Sequence, residues 1–157
     1  MSKTQSKESQ QLENKLSVQV KKLHKDAKLP DKKPQDIEDA GWDLYTIERK
    51  RIAGHSKYAI RTGIAMAIPE GWYGQIKNRS GVAINTSLMV DAGVIDPGYR
   101  GEVKVVLVNI GEYPTDVEAG TKIAQIVFER IPSTEIKEVA DLPPSERDTK
   151  GFGSTGT

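Results

Sequence analysis

The stretch AGVIDPGYRGEV, residues 92–103, sets one carboxylate, Asp96, where an apolar run gives way to a Pro-Gly turn, with Tyr99 and Arg100 close behind it. A carboxylate at the rim of an apolar pocket suits a general base acting on water. Tyr99 offers a flat face for a sugar or a base. The plain alternative is a well-made turn that Asp96 caps through its own side chain. NRSGVA, residues 78–83, brings a guanidinium, a hydroxyl and a glycine together at the start of a short helix. Arg79, Ser80 and the N–H groups near Gly81 fit an anion there; a capped helix start fits equally well. Asp43, between aromatics in AGWDLYT, reads as a solvent-facing strand residue, and Gln125 in GTKIAQIVFERI is an amide that either binds backbone or points into a site. The terminal GFGSTG lacks the Gly-Lys-Ser/Thr ending of a P-loop. Its glycines can still turn N–H groups toward an anion, with Ser154 and Thr155 adding donors.

The totals narrow the chemistry. With no cysteine, disulfides, thiolate catalysis and Cys-based metal sites are excluded. The two histidines, His24 and His55, are too few and too far apart in sequence for a His cluster. A formal net charge of +1 gives no global pull toward nucleic acid or an anionic membrane. No run approaches the roughly 18 to 20 apolar residues of a membrane span. The first 15 residues mix charges of both signs without an apolar centre, so they read as a disordered polar extension and not a secretory signal. An intracellular protein is the expectation.

The elements that must hold these residues are short. Residues 16–23 alternate with period two, WDLYTI follows a polar loop, YAIRTGIAMAIP reads as two strand segments, and GWYGQIK as another. GEVKVVLVNI and TKIAQIVFERI are the strongest strands, and the β-branched runs about the Pro-Gly turn read as a hairpin. Turn signals recur, no long helical stripe appears, and the only helix expected lies around SGVAINTS. This pattern indicates an all-β sandwich or barrel with antiparallel strands in one domain. Pro143 and Pro144 then carry the chain away as an arm that would serve another subunit or a ligand.

In order along the chain, AGWDLYT, NRSGVA, GVIDPGYRGEV, GTKIAQIVFERI and RDTKGFGSTG resemble the five motifs of the trimeric dUTPases, the deoxyuridine 5′-triphosphate nucleotidohydrolases. The resemblance runs from about residue 16 to the end. It implies a jelly-roll-like β barrel of the β-clip type over 16–141, with an arm over 142–157 closing on an active site shared within a homotrimer. The implied reaction is dUTP diphosphatase activity, Mg²⁺-dependent hydrolysis of dUTP to dUMP and pyrophosphate by attack of water on the α-phosphorus. It supplies dUMP for dTMP synthesis and keeps uracil out of DNA.

By the same resemblance Asp96 deprotonates the water and Gln125 helps hold it. Arg79, Ser80 and Gly81 bind phosphates from a second subunit. Uracil lies in the hairpin, read by main chain at Gly93, Val94 and Ile95 and near Lys104, and Tyr99 under the deoxyribose excludes a 2′-hydroxyl. Arg147 clamps the terminal phosphate, Phe152 stacks on uracil, and Gly153, Ser154 and Thr155 donate to phosphates. No direct protein ligand to Mg²⁺ is implied, with Asp43 acting through water. Departures from the commoner pattern are Asn78 for Pro, Lys122 for Arg, Gly98 after Pro97, and Asp148 and Lys150 in the tail. IDPG also resembles the dCTP deaminases, but Val106 stands where those enzymes carry a working glutamate. A non-catalytic binding module is the other rival, and the presence of Asp96, Tyr99 and the arm argues against it.

Overall fold

The computed structural model describes residues 16–32 and 39–145. The polar extension of residues 1–15 lies outside the described residues. So do Arg147, Phe152, Gly153, Ser154 and Thr155.

Among the described residues ten strands and one helix follow in order: β1 (Gln19–Lys22), β2 (Trp42–Tyr45), β3 (Lys50–Ile52), β4 (Lys57–Ala67), β5 (Trp72–Lys77), α1 (Ser80–Asn85), β6 (Leu88–Asp91), β7 (Val94–Ile95), β8 (Glu102–Asn109), β9 (Thr115–Val117) and β10 (Lys122–Arg130). They form two four-stranded sheets, β1-β4-β8-β6 and β2-β10-β5-β7, and a two-stranded sheet of β3 and β9. Every paired neighbour is antiparallel. This is the all-β, jelly-roll-like architecture expected, with the short helix expected around SGVAINTS at residues 80–85.

The core lies between the two larger sheets. Along β8 the alternation buries Val103, Val105, Leu107 and Asn109, and β10 supplies Ile123, Ala124 and Ile126. Ile60, Ile64 and Met66 of β4, Leu44 of β2 and Ile76 of β5 complete it. Each fully buried Leu or Ile contributes roughly 1.5–3 kcal/mol against exposure. The buried amide of Asn109 donates to the carbonyls of Ile52 and Tyr113 and accepts from the Ser87 hydroxyl and the Gly111 N–H. It thereby fastens the small β3–β9 sheet to the body.

Two local readings change. YAIRTGIAMAIP is one strand, β4, and it looks like two because its register with β8 slips between Arg61 and Ala65. Gly63 sits at this bulge with φ +70°, and its N–H donates to the Glu102 carboxylate at 2.9 Å. The larger correction concerns the hairpin about Pro97-Gly98. The runs on either side of that turn do not pair with each other. β7 joins β5 in the second sheet, while β8 lies between β4 and β6 in the first. The hairpin that exists is β6–β8, and its ladder stops at Asp91↔Val106. There Ala92 (φ 61°) and Gly93 (φ 131°) turn the chain across to the other sheet.

Candidate active site

The divergence of β6 from β8 builds the first half of the site. Beyond Val106, the edge of β8 from Glu102 to Val105 faces no strand among the described residues. Opposite that edge run Gly93, Val94 and Ile95, held away by their own pairing. Ile76 donates its N–H to the Gly93 carbonyl at 2.8 Å, and Gln75 and Gly74 pair with Val94 and Ile95. A Cβ on Gly93 would come within 3.0 Å of Ile76 backbone and side chain, so only glycine permits the approach. The gap left where the two strands diverge is a slot that a flat polar ring could enter.

Asp96 stands at the mouth of this slot, exposed, with Tyr99 closing the turn by donating its N–H to the Asp96 carbonyl at 3.1 Å. The side chain of Asp96 does not cap the turn. Its carboxylate has no hydrogen bond or ion pair among the described residues, whereas Arg100 binds the carbonyls of Pro97 and Tyr99. The Tyr99 hydroxyl donates to the carbonyl of Glu102 at 3.1 Å, which lays its ring over Gly101. A Cβ on Gly101 would meet Tyr99 Cζ at 2.6 Å. Lys104 is exposed on β8, paired with Arg61 of β4 along one edge and beyond the reach of the β6 ladder along the other.

The second half forms where β2, β10, β5 and α1 meet. Register places Gln125 level with Asp43 on one side and Lys77 on the other. The Gln125 amide donates to the carbonyl of Asn78 at 2.8 Å, and its carbonyl end lies against Gly41, where a Cβ would be 2.8 Å from Gln125 Cδ. Asn78 also accepts the Val90 N–H on its side chain, at 2.6 Å. This pins the turn that delivers Arg79 and the exposed Ser80 and Gly81.

Asp43 is no solvent-facing residue. Its side chain is 18% exposed and bridges two cations: Oδ1 lies 2.6 Å from Arg79 Nε, and Oδ2 lies 2.7 Å from Lys122 Nζ. Behind it, Tyr45 donates its hydroxyl to Asp31 at 2.8 Å, and Lys122 comes within 3.8 Å of the same carboxylate. The hydrogen bond to Asp43, then the one to Tyr45, raises Lys122 above the ordinary lysine value of 10.5. Burial first, and the bond to Asp31 second, raises Tyr45 above 10.0. The sequence names Asn78 and Lys122 only as departures from the family pattern and gives Asp31 and Tyr45 no role. Their roles depend on pairing between distant segments, which adjacent residues do not reveal.

The two halves stand apart. Ile95 pairs with Gly74, and Gln125 with Lys77. They are three residues apart along β5 and two strand spacings across, about 14 Å between Cα atoms. One chain therefore holds the Asp96 slot and the Arg79–Gln125 cluster without joining them.

The chain thus carries an exposed carboxylate beside a gap between strands and, separately, a polar cluster with a guanidinium; comparison with known proteins gives the family. The dUTPase family model matches residues 26–156. The chain belongs to the dUTPase family. It is 41% identical to the deoxyuridine 5′-triphosphate nucleotidohydrolase of Candida albicans, over 99% of this chain and 98% of that protein. It is 39% identical to the Yaba monkey tumor virus protein of the same name, over 91% and 99%. The dUTPase of Staphylococcus bacteriophage 80alpha, solved with dUpNHpp, superposes with a TM-score of 0.82 at 32% identity, covering 90% of this chain and 99% of that one. An Asp-to-Asn variant of the phage phi11 dUTPase, described with a structural Mg(II) ion, gives a TM-score of 0.73 at 28% identity, with coverage of 80% and 97%.

Among the described residues, no three His, Cys, Asp or Glu side chains of this dUTPase gather to hold a metal, and no helix is long and apolar enough to cross a membrane.

Proposed function

We propose that the chain carries out its family's reaction, hydrolysis of dUTP to dUMP and pyrophosphate, with Asp96 as the base that activates water. The observation that carries the reading is the exposed Asp96 carboxylate, without a partner among the described residues, at the mouth of the gap where β7 parts from β8. Uracil enters the slot and is read by main chain at Gly93, Val94, Ile95 and near Lys104. A rigid backbone slot rejects thymine by overlap with its 5-methyl group and cytosine by mismatched donors and acceptors. The Tyr99 ring, fixed by its bond to Glu102, lies under the deoxyribose and leaves no room for a 2′-hydroxyl.

Arg79, Ser80 and Gly81 take the phosphates, and Gln125, oriented by Asn78, holds the attacking water or an α-phosphate oxygen. Asp96 accepts the proton of that water as its oxygen attacks the α-phosphorus, and pyrophosphate leaves in line. The Asp43 carboxylate spends one lone pair of each oxygen on Arg79 and Lys122. The remaining lone pairs suit water-mediated contact with a cation carried by the substrate. Mg²⁺ on the triphosphate would supply charge neutralisation of the leaving group.

The separation of the two halves favours a homotrimer in which the Asp96 slot of one subunit meets the Arg79–Gln125 cluster of another. Segment 132–145, which follows β10, is exposed. Residues 142–157 form an arm over the site, with Arg147 on the terminal phosphate, Phe152 on uracil, and Gly153, Ser154 and Thr155 on phosphate oxygens. An intracellular location follows from the nucleotide substrate.

Pyrophosphate release measured on dUTP, dCTP, dTTP and UTP, with ammonia assayed alongside, tests the reading. Release from dUTP alone is expected; ammonia from dCTP would overturn it. Truncation before Gly151 should lower turnover strongly while leaving the thermal midpoint in place, and unchanged kinetics would remove the arm from the mechanism.

A further inference from the structure

The Asp43 carboxylate is held by two cations at once, on opposite oxygens, at 2.6 and 2.7 Å. Arg79 is therefore engaged through Nε before any phosphate arrives, its other N–H groups remain available to phosphate, and a triphosphate that draws the guanidinium toward itself works against the Asp43 contact. A carboxylate shared between two cations holds each less tightly than it would hold one alone. When Arg79 leaves, the second cation keeps Asp43 from standing uncompensated in a site where its side chain is only 18% exposed.

We propose that Lys122 is a positioning residue that sets how readily Arg79 leaves Asp43, and so how tightly the triphosphate is held. The proposal rests on the reading of Arg79 as a phosphate ligand. Lys122 is placed for this role by the bulge between Lys122 and Ala124, which shifts β10 against β2 just where Tyr45 pairs. Its ammonium lies 5.5 Å from the centre of the Tyr45 ring, whose hydroxyl is tied to Asp31, and Lys28 lies 4.8 Å from the same centre. Lys28 is in turn fixed by donating to the Gly120 carbonyl at 3.1 Å. The anchor is thus built from groups that reach Arg79 only through Asp43. Its raised pKa keeps Lys122 charged across the physiological range.

The test is steady-state hydrolysis of dUTP by the full chain in five forms: wild type, K122M, K122R, D43N and the D43N/K122M double variant. K122M should raise KM about five- to tenfold with kcat within twofold, since a charge-assisted contact is redistributed and the base is untouched. K122R should restore KM to within about twofold, because a guanidinium can hold the same carboxylate. In the D43N background, K122M should change KM by less than about twofold, because Arg79 no longer has an anion to leave. An equal KM increase in both backgrounds would mean that Lys122 touches phosphate itself, and the proposal would fall. K122Q, with its thermal midpoint measured, replaces K122M should the methionine disturb the fold. R79A, run alongside, separates the failures. Unchanged KM in R79A removes the phosphate reading of Arg79, whereas raised KM in R79A with K122M unaffected overturns the role of Lys122 alone.

Discussion

At the β7 end of the second sheet the Asp96 carboxylate has no partner among the described residues; at its β2 end Asp43 already holds both Arg79 and Lys122. The difference is one of preparation. The Asp96 carboxylate makes no bond among the described residues and costs little to keep, since it is exposed to solvent. The Asp43 half brings like charges together and needs a carboxylate between them. A ligand at the first half makes new contacts, while a ligand at the second exchanges old ones. Substitutions at the first half should therefore damage chemistry without touching stability, and those at the second should do some of both.

The largest effect expected is at Asp96. Asp96→Asn keeps the shape and removes the base, so kcat should fall about 1,000-fold. Stability should move by less than about 0.5 kcal/mol, because the side chain is exposed and pairs with nothing described. Single-turnover kinetics and a thermal melt check both, and near-normal turnover would remove Asp96 from the base role. Next comes selectivity. Gly101→Ala forces the Tyr99 ring off its seat, since a Cβ would sit 2.6 Å from Cζ. The preference for dUTP over UTP should narrow about tenfold. An unchanged ratio of kcat/KM values would show that the ring does not guard the 2′-position.

At the other half the contrast predicts a stability loss. Asp43→Ala leaves the Arg79 and Lys122 cations facing each other, with side chains 31% and 38% exposed. A loss of about 1 kcal/mol or more is expected, read from chemical denaturation. The same melt on Asp96→Ala should be flat, and equal losses at the two positions would erase the distinction drawn between the halves.

Much of this was legible in the chain. The alternation in GEVKVVLVNI and the apolar run of TKIAQIVFERI announced β8 and β10, because strand period is a local property. Asp96 and Gln125 stood out as polar residues at the edge of apolar runs. β3 and β9 did not, since each has three residues and finds its partner across the sequence, Lys50 with Val117. The Pro-Gly turn suggested a local hairpin for a similar reason. Nothing in VIDPGYRGEV tells that the positive φ of Ala92 and Gly93 sends β7 to the other sheet. The Asp43 bridge needed the register of β2 against β10 and the placement of α1. Read singly, an Asp between aromatics looks like a surface residue.

The smallest effect, and the one that probes the second half most finely, is alkaline. Tyr45 is raised above 10.0, first by burial and then by its bond to Asp31, so the folded state holds its proton longer than the unfolded chain does. Its contribution is full below the unfolded value and is lost as pH rises through the folded one. Lys122 is raised above 10.5 by its bond to Asp43 and then Tyr45, and it acts in the same direction. The thermal midpoint should therefore fall as pH climbs past about 10. Tyr45→Phe keeps the ring and deletes one of the two titrations, so its decline between pH 9 and pH 11 should be shallower than that of the wild type. Parallel curves would mean that the Tyr45–Asp31 contact does not feed the Asp43 bridge. The second half would then be a pair of cations on one carboxylate with no anchored support behind it.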